Sequence, residues 1–231
     1  MGVYAWPHFT AIGFLILAIA CAATAPKHPY EVDPAFEGAP NAERVLLAPI
    51  NAFGGIAEVL RDGAARTREE TKRYLALHGK KVVSVSLFDF RRAASALPAK
   101  DEQADDEPRV RELFARLREE HDFDVLVLAS VLMRTARLTG GRMARWDGVR
   151  RQMSAPGGMT WSGATSAASL QVRVYDERGV RVFMGIGGLD HVFRADVSEK
   201  RFVVLDDPLS DREALREGIA IAFHPFVPIL P

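Results

Sequence analysis

Cysteine is nearly missing from this chain: Cys21 is the only one among 231 residues. An internal disulfide is therefore excluded, and so is a zinc site built on a cysteine pair. Charge is missing from the first 26 residues, where Lys27 is the first charged side chain. Net charge is missing overall, because thirty basic side chains balance thirty acidic ones. Nothing global therefore recommends nucleic acid as a partner. Histidine pairs are missing too. His8, His28, His78, His121, His191 and His224 stand at no metal-ligand spacing, so the reading expects no metal site and no cofactor.

What is present begins with an apolar run, Ala11 to Ala23, that contains the lone cysteine. Its length suits a signal h-region better than a membrane span, which needs about 20 residues. Ala18-Ile19-Ala20-Cys21 reads as a lipoprotein cleavage site, with cutting before Cys21 and acylation of its thiol. Two or three acyl chains give stable anchoring. The expected organisation is a signal peptide over 1–20, a lipidated Cys21 with a flexible tether over 21–43, and one domain over 44–231. Pro26, Pro29, Pro34 and Pro40 mark the tether, which would reach roughly 60 Å if extended.

The domain reads as alternating strands and helices. Arg44 to Ile50 is a short apolar run of the kind that forms a strand buried on both faces. Ile56, Val59, Leu60, Ala64, Thr67, Thr71, Tyr74, Leu75 and His78 fall on one helical stripe, and Gly79 suits the position after its end. Further strands are expected at 82–87, 125–133, 168–175 and 180–186. Helices are expected at 89–97 and from Val110 to about His121. A final helix is expected to open on a capping box, Ser210-x-x-Glu213. The Gly, Ser and Thr-rich 154–165 reads as loop. Gly185-Ile186-Gly187-Gly188 reads as a bulge or turn, since it opens no helix. The predicted fold class is α/β, with one mixed sheet of about five strands flanked by helices.

The richest local signal is charge. Residues 131–152 hold Arg134, Arg137, Arg142, Arg145, Arg150 and Arg151 against the single acid Asp147. The guanidinium fork pairs bidentately with carboxylate and phosphate. A protruding hairpin turning at Gly140-Gly141 would set Arg134 opposite Asp147, Thr135 opposite Trp146 and Leu138 opposite Met143. That register mixes apolar and cationic residues on both faces, which suits contact with another chain. Arg137, Arg142, Arg145 and Trp146 are the candidate partner-binding residues. The competing reading has these arginines paired internally, for instance with the acidic 101–107 run.

No catalytic constellation is apparent. Asp190-His191 are neighbours, but adjacent strand residues point to opposite faces, so the pair reads as a solvated turn. Ser162 and Ser166 lack a G-x-S-x-G elbow.

The order of elements, with Ala168-Ser169-Leu170-Gln171-Val172-Arg173-Val174-Tyr175-Asp176 followed by Gly179, resembles a superfamily of bacterial envelope lipoproteins. It includes the curli secretion lipoprotein, the lipoprotein activators of penicillin-binding proteins and the amino-terminal domain of the Tol-system translocation protein. The resemblance implies a non-catalytic α/β domain that binds another envelope protein or assembles with itself. Ala22, where an aspartate would favour the inner membrane, points to an outer-membrane anchor facing the periplasm. An extracytoplasmic hydrolase or ligand-binding enzyme is the alternative, and a secretion-pore subunit a minor one.

Overall fold

The computed structural model describes residues 30–32, 41–97, 107–141, 143–152, 161–196 and 201–227. Cys21 and Arg142 lie outside the described residues, as do 98–106, which carry most of the acidic run.

The chain begins with a short strand, β1 (Tyr30–Val32), and then β2 (Arg44–Leu47), which is buried from Val45 onward. A single 3-10 turn leads into α1 (Arg61–Leu77), which buries Ala64, Thr67, Thr71, Tyr74 and Leu75 on the expected stripe. Next come β3 (Lys81–Ser84) and α2 (Leu87–Ser95), whose N-cap Ser86 accepts the Asp89 N–H at 3.0 Å. Then follow α3 (Glu107–Glu120), β4 (Val125–Gly141), β5 (Met143–Trp146) and β6 (Val149–Gln152). The rest is β7 (Trp161–Tyr175), β8 (Arg181–His191), β9 (Phe193–Asp196), β10 (Arg201–Val204) and α4 (Arg212–Phe223).

The fold is α/β around a mixed sheet. Eight strands join it, in the order β1-β8-β7-β4-β2-β3, with β5 on the far part of β4 and β6 on β5. The strands β3, β2 and β4 run parallel, and the other pairings are antiparallel. Residues from α1 and α4 share one core layer with Val125, Val127, Ala129 and Val131 of β4. Residues from α2 and α3 share the opposite layer with Leu126 and Leu128. Period-two alternation thus supplies both cores from one strand. Asp124 ties the starts of β2 and β4 together. It accepts the Arg44 backbone N–H at 2.8 Å and the Arg44 guanidinium at 2.6 and 3.1 Å.

Several expectations are corrected. The sheet has eight strands rather than about five, because Tyr30–Val32 and the hairpin strands join it. Tyr30–Val32 was expected in the tether, yet it pairs with Phe183–Gly185 on the edge of β8. Val83 is half-buried, since β3 is an edge strand with one side open. Residues 161–165, expected as loop, extend β7 because the far part of β4 offers them a ladder. The N-cap of α4 is Asp211 rather than Ser210; its carboxylate accepts the Glu213 and Ala214 N–H groups at 2.9 and 3.1 Å.

The glycines at 185–188 belong to β8, and the register against β7 shifts beside Gly188. A Cβ at Gly185 or Gly187 would strike the backbone of Ala222 or Gly218, so the two glycines let α4 approach the sheet closely.

Candidate functional site

The arginine-rich segment leaves the helix-covered part of the sheet. β4 runs on past Met133 to Gly141, paired with β7 throughout. Its partner β5 lies opposite in a register of Arg137 with Arg145 and Leu138 with Ala144. The expected register was one residue different, and a one-residue slip moves every side chain to the other face. The true faces therefore segregate. Ala136, Leu138, Ala144, Trp146, Val149 and Ala167 pack into one small core. Arg137 and Arg145 are exposed on the opposite face. The expectation of a half-apolar, half-cationic surface is overturned.

The β5–β6 hairpin turns at Asp147-Gly148, both with positive φ (33° and 84°). A two-residue turn of this kind matches the strand twist. The hairpin then comes back over β7 and β8. The Gly188 N–H donates to the Asp147 carbonyl at 2.9 Å, and Trp146 Nε1–H donates to the Ala168 carbonyl at 3.1 Å. Space for the indole exists because Gly188 has no side chain. Trp146, expected as an exposed interface anchor, is only 6% exposed. It fastens the hairpin to the sheet.

The five described arginines of this segment divide by face. Arg134 reaches Asp147 at 3.0 Å, and Asp147 also accepts the Ser169 hydroxyl at 2.7 Å. Arg151 pairs with Glu217 at 2.9 Å and donates to the Ala214 carbonyl at the start of α4. These two serve the fold, as the competing reading expected. Arg137, Arg145 and Arg150 form a row. Arg137 faces Arg145 across β4 and β5, and Arg145 faces Arg150 across β5 and β6. All three are exposed, and none makes an ion pair among the described residues. Directly opposed like charges in a sheet are mutually destabilising. The sequence carried a signal for the missed turn, since Asp-Gly between two short strands is a strong hairpin marker. Arg150 then follows into the row.

Asp190-His191 is not a solvated turn. His191 ends β8, is buried, and stacks obliquely on Trp146 with ring centroids 5.0 Å apart. Neither imidazole nitrogen has a hydrogen-bond partner. Burial, with a smaller contribution from Arg151, pushes its pKa down to about 4. Burial likewise raises the Asp190 carboxyl above its ordinary value, although the His191 N–H donates to it at 2.7 Å. Among the described residues no group of three or more His, Cys, Asp or Glu could hold a metal ion. No helix among them is long and apolar enough to cross a membrane.

No family model matches the chain, and no curated protein matches it.

Proposed function

We propose that this chain is a non-enzymatic lipoprotein of the bacterial cell envelope, anchored through Cys21, that binds an acidic surface on another envelope protein. The observation that carries the reading is the exposed row Arg137–Arg145–Arg150. Three cations held in register on a neutral protein repel one another until an anionic surface neutralises them. Arg142, next to the row in sequence, adds to the same charge. Trp146 contributes by holding the hairpin rather than by touching the partner.

The anchor adds geometry. β1 begins at Tyr30 on the edge of β8, so only residues 22–29 separate a lipidated Cys21 from the sheet. Fully extended, they span at most about 29 Å. The domain would then stay near the membrane, on the outer membrane facing the periplasm. Self-association is the alternative use of the row, but three cations facing three cations oppose it unless an acidic patch is the counterpart.

The test is Arg137→Glu with Arg145→Glu in the full chain, purified in mild detergent. Co-purification of an acidic envelope partner should be lost and the melting temperature should hold. A large stability loss with unchanged partner recovery would assign the row to the fold and end the proposal. Cys21→Ala, followed by fractionation and mass of the mature amino terminus, tests the anchor separately.

A further inference from the structure

The parallel strands contain a switch point. β2 lies between β3 and β4. The chain reaches β3 through α1 on one face, and β4 through α2 and α3 on the other. In open α/β sheets the crevice beyond the carboxyl end of such a strand is where ligands bind. Here β2 ends and the chain peels away from β4 over residues 48–51. The Ala48 and Asn51 N–H groups still donate to the Val127 and Ala129 carbonyls, each at 3.0 Å.

Asn51 then holds the crevice open. Its φ is 56°, a conformation asparagine tolerates better than most residues. Its side-chain amide imitates a strand. Oδ1 accepts the Val131 N–H at 2.8 Å, and Nδ2 donates to the Val131 carbonyl at 3.1 Å and the Gly55 carbonyl at 3.2 Å. The loop is thereby fixed beside β4 without covering it. What remains is a cleft of about 420 Å³, with Leu128 and Leu132 on its floor and Phe53 and Leu97 on its walls.

Two arginines line this cleft, Arg109 from α3 and Arg173 from β7. Seven described arginines are half-buried: Arg44, Arg66, Arg68, Arg109, Arg116, Arg151 and Arg173. Five have a carboxylate or carbonyl partner. Arg109 and Arg173 have none among the described residues, and Arg109 Nε is buried without an acceptor. Arg109 also lies in the first turn of α3 as described, where the helix dipole already favours negative charge. Arg173 sits between Leu128 and Met184 across the sheet, neither of which is acidic. Half-burying an unpaired cation is unfavourable, and placing two in one cleft compounds it.

We propose that this cleft binds a small organic anion, a carboxylate or phosphate on an apolar body, with Arg109 and Arg173 gripping the charged head. Forked guanidinium groups suit such heads, and the leucine and phenylalanine surfaces suit the body. The site is independent of the arginine row, so either proposal can fail alone.

The experiment titrates the full chain, in mild detergent, with phenyl phosphate, benzoate and neutral benzyl alcohol by calorimetry. At least one of the two anions should bind saturably at one site and raise the melting temperature, whereas benzyl alcohol should do neither. Arg109→Gln and Arg173→Gln should each weaken that binding at least tenfold while leaving the ligand-free melting temperature unchanged or slightly higher. No saturation by either anion up to about 10 mM would overturn the proposal. So would equal binding of benzyl alcohol, or unchanged binding in both variants. The acidic 101–106 segment leads directly into α3 and is the internal competitor. If anions bind only after Asp101→Asn, Glu102→Gln, Asp105→Asn and Asp106→Asn, the arginines face that segment and the proposal falls.

Discussion

One strand, β4, passes through two different environments. From Val125 to Val131 helices cover both faces, and odd and even residues enter separate cores. Beyond Met133, which is itself 39% exposed, only one face is covered, by the hairpin together with Ile221 of α4. The first region reads in the sequence as an apolar run, Val125 to Ala129, resumed after Ser130. The second alternates Arg134, Ala136 and Leu138 with Thr135 and Arg137. The same backbone ladder is thus held by broad burial at one end and by a few specific contacts at the other. Burial is redundant and tolerant; a single tryptophan and a single turn are neither.

The largest effect should come at the helix-covered end, where α4 meets β8. Gly187→Ala would push a methyl group into the Gly218 backbone, which cannot move without displacing the helix. We expect a loss of at least about 4 kcal/mol, because backbone rather than a flexible side chain must give way. Urea unfolding measures it. A loss below about 1 kcal/mol would mean that α4 is not seated as tightly as the rest of that core.

The curled end should respond to acid. His191 is held neutral in the fold with a pKa of about 4, against an ordinary value of 6.5. Below about pH 6.5 the unfolded chain takes up a proton that the folded chain refuses, so stability falls as pH falls towards 4. The full loss is about 3 kcal/mol. Asp190 acts with the opposite sign. Its raised carboxyl pKa contributes stability that is present at low pH and is lost as pH rises from the ordinary value through the raised one, so it opposes the histidine. His191→Leu should flatten the stability profile between about pH 7 and pH 5. Parallel profiles for wild type and variant would show that another group carries the acid response.

Trp146→Phe sharpens the comparison further. It keeps most of the ring and removes the donor to the Ala168 carbonyl. The expected loss is about 1–2 kcal/mol, including the carbonyl left unsatisfied. Hydrogen exchange should quicken in β5 and β6 while β2 and the first half of β4 stay protected. Uniform quickening would mean that the two ends unfold as one unit.

The legibility of the sequence follows the same divide. Val45 to Leu47 and Val125 to Ala129 announce a doubly covered sheet, because burial on both faces leaves only apolar residues. Tyr30–Val32 is too short, between Pro29 and Pro34, to show any period. Residues 161–165 look like loop by composition, and only their pairing with β4 makes them strand. The expected β4–β5 register is one residue off at the Gly140-Gly141 turn, which exchanges the buried and exposed faces, and the expectation lacks the second turn at Asp147-Gly148. The cleft was invisible for a different reason. In the sequence Arg109 ends a polar stretch that reads as exposed loop, just ahead of the helix expected from Val110, and Arg173 lies on the polar side of a strand. Nothing local says that the crossover brings them to one crevice, or that no acid among the described residues pairs with them.

The smallest effect is the most telling about the exposed face of the hairpin. Arg145→Glu replaces two opposed like-charge pairs, with Arg137 and with Arg150, by two attractive ones. The change in stability should lie within about 0.5 kcal/mol of wild type and on the stabilising side, because the pairs are solvent-exposed. The gain should fade as salt rises, since screening reaches both pairs. A reversed charge at a structurally important arginine behaves otherwise: Arg134→Glu would set a second acid against Asp147 and should destabilise the turn. Measuring both variants side by side at low and high salt separates the two roles. A clear stability loss in Arg145→Glu, unaffected by salt, would place Arg145 with Arg134 among the residues that hold the hairpin, and the row would no longer be a surface kept for something else.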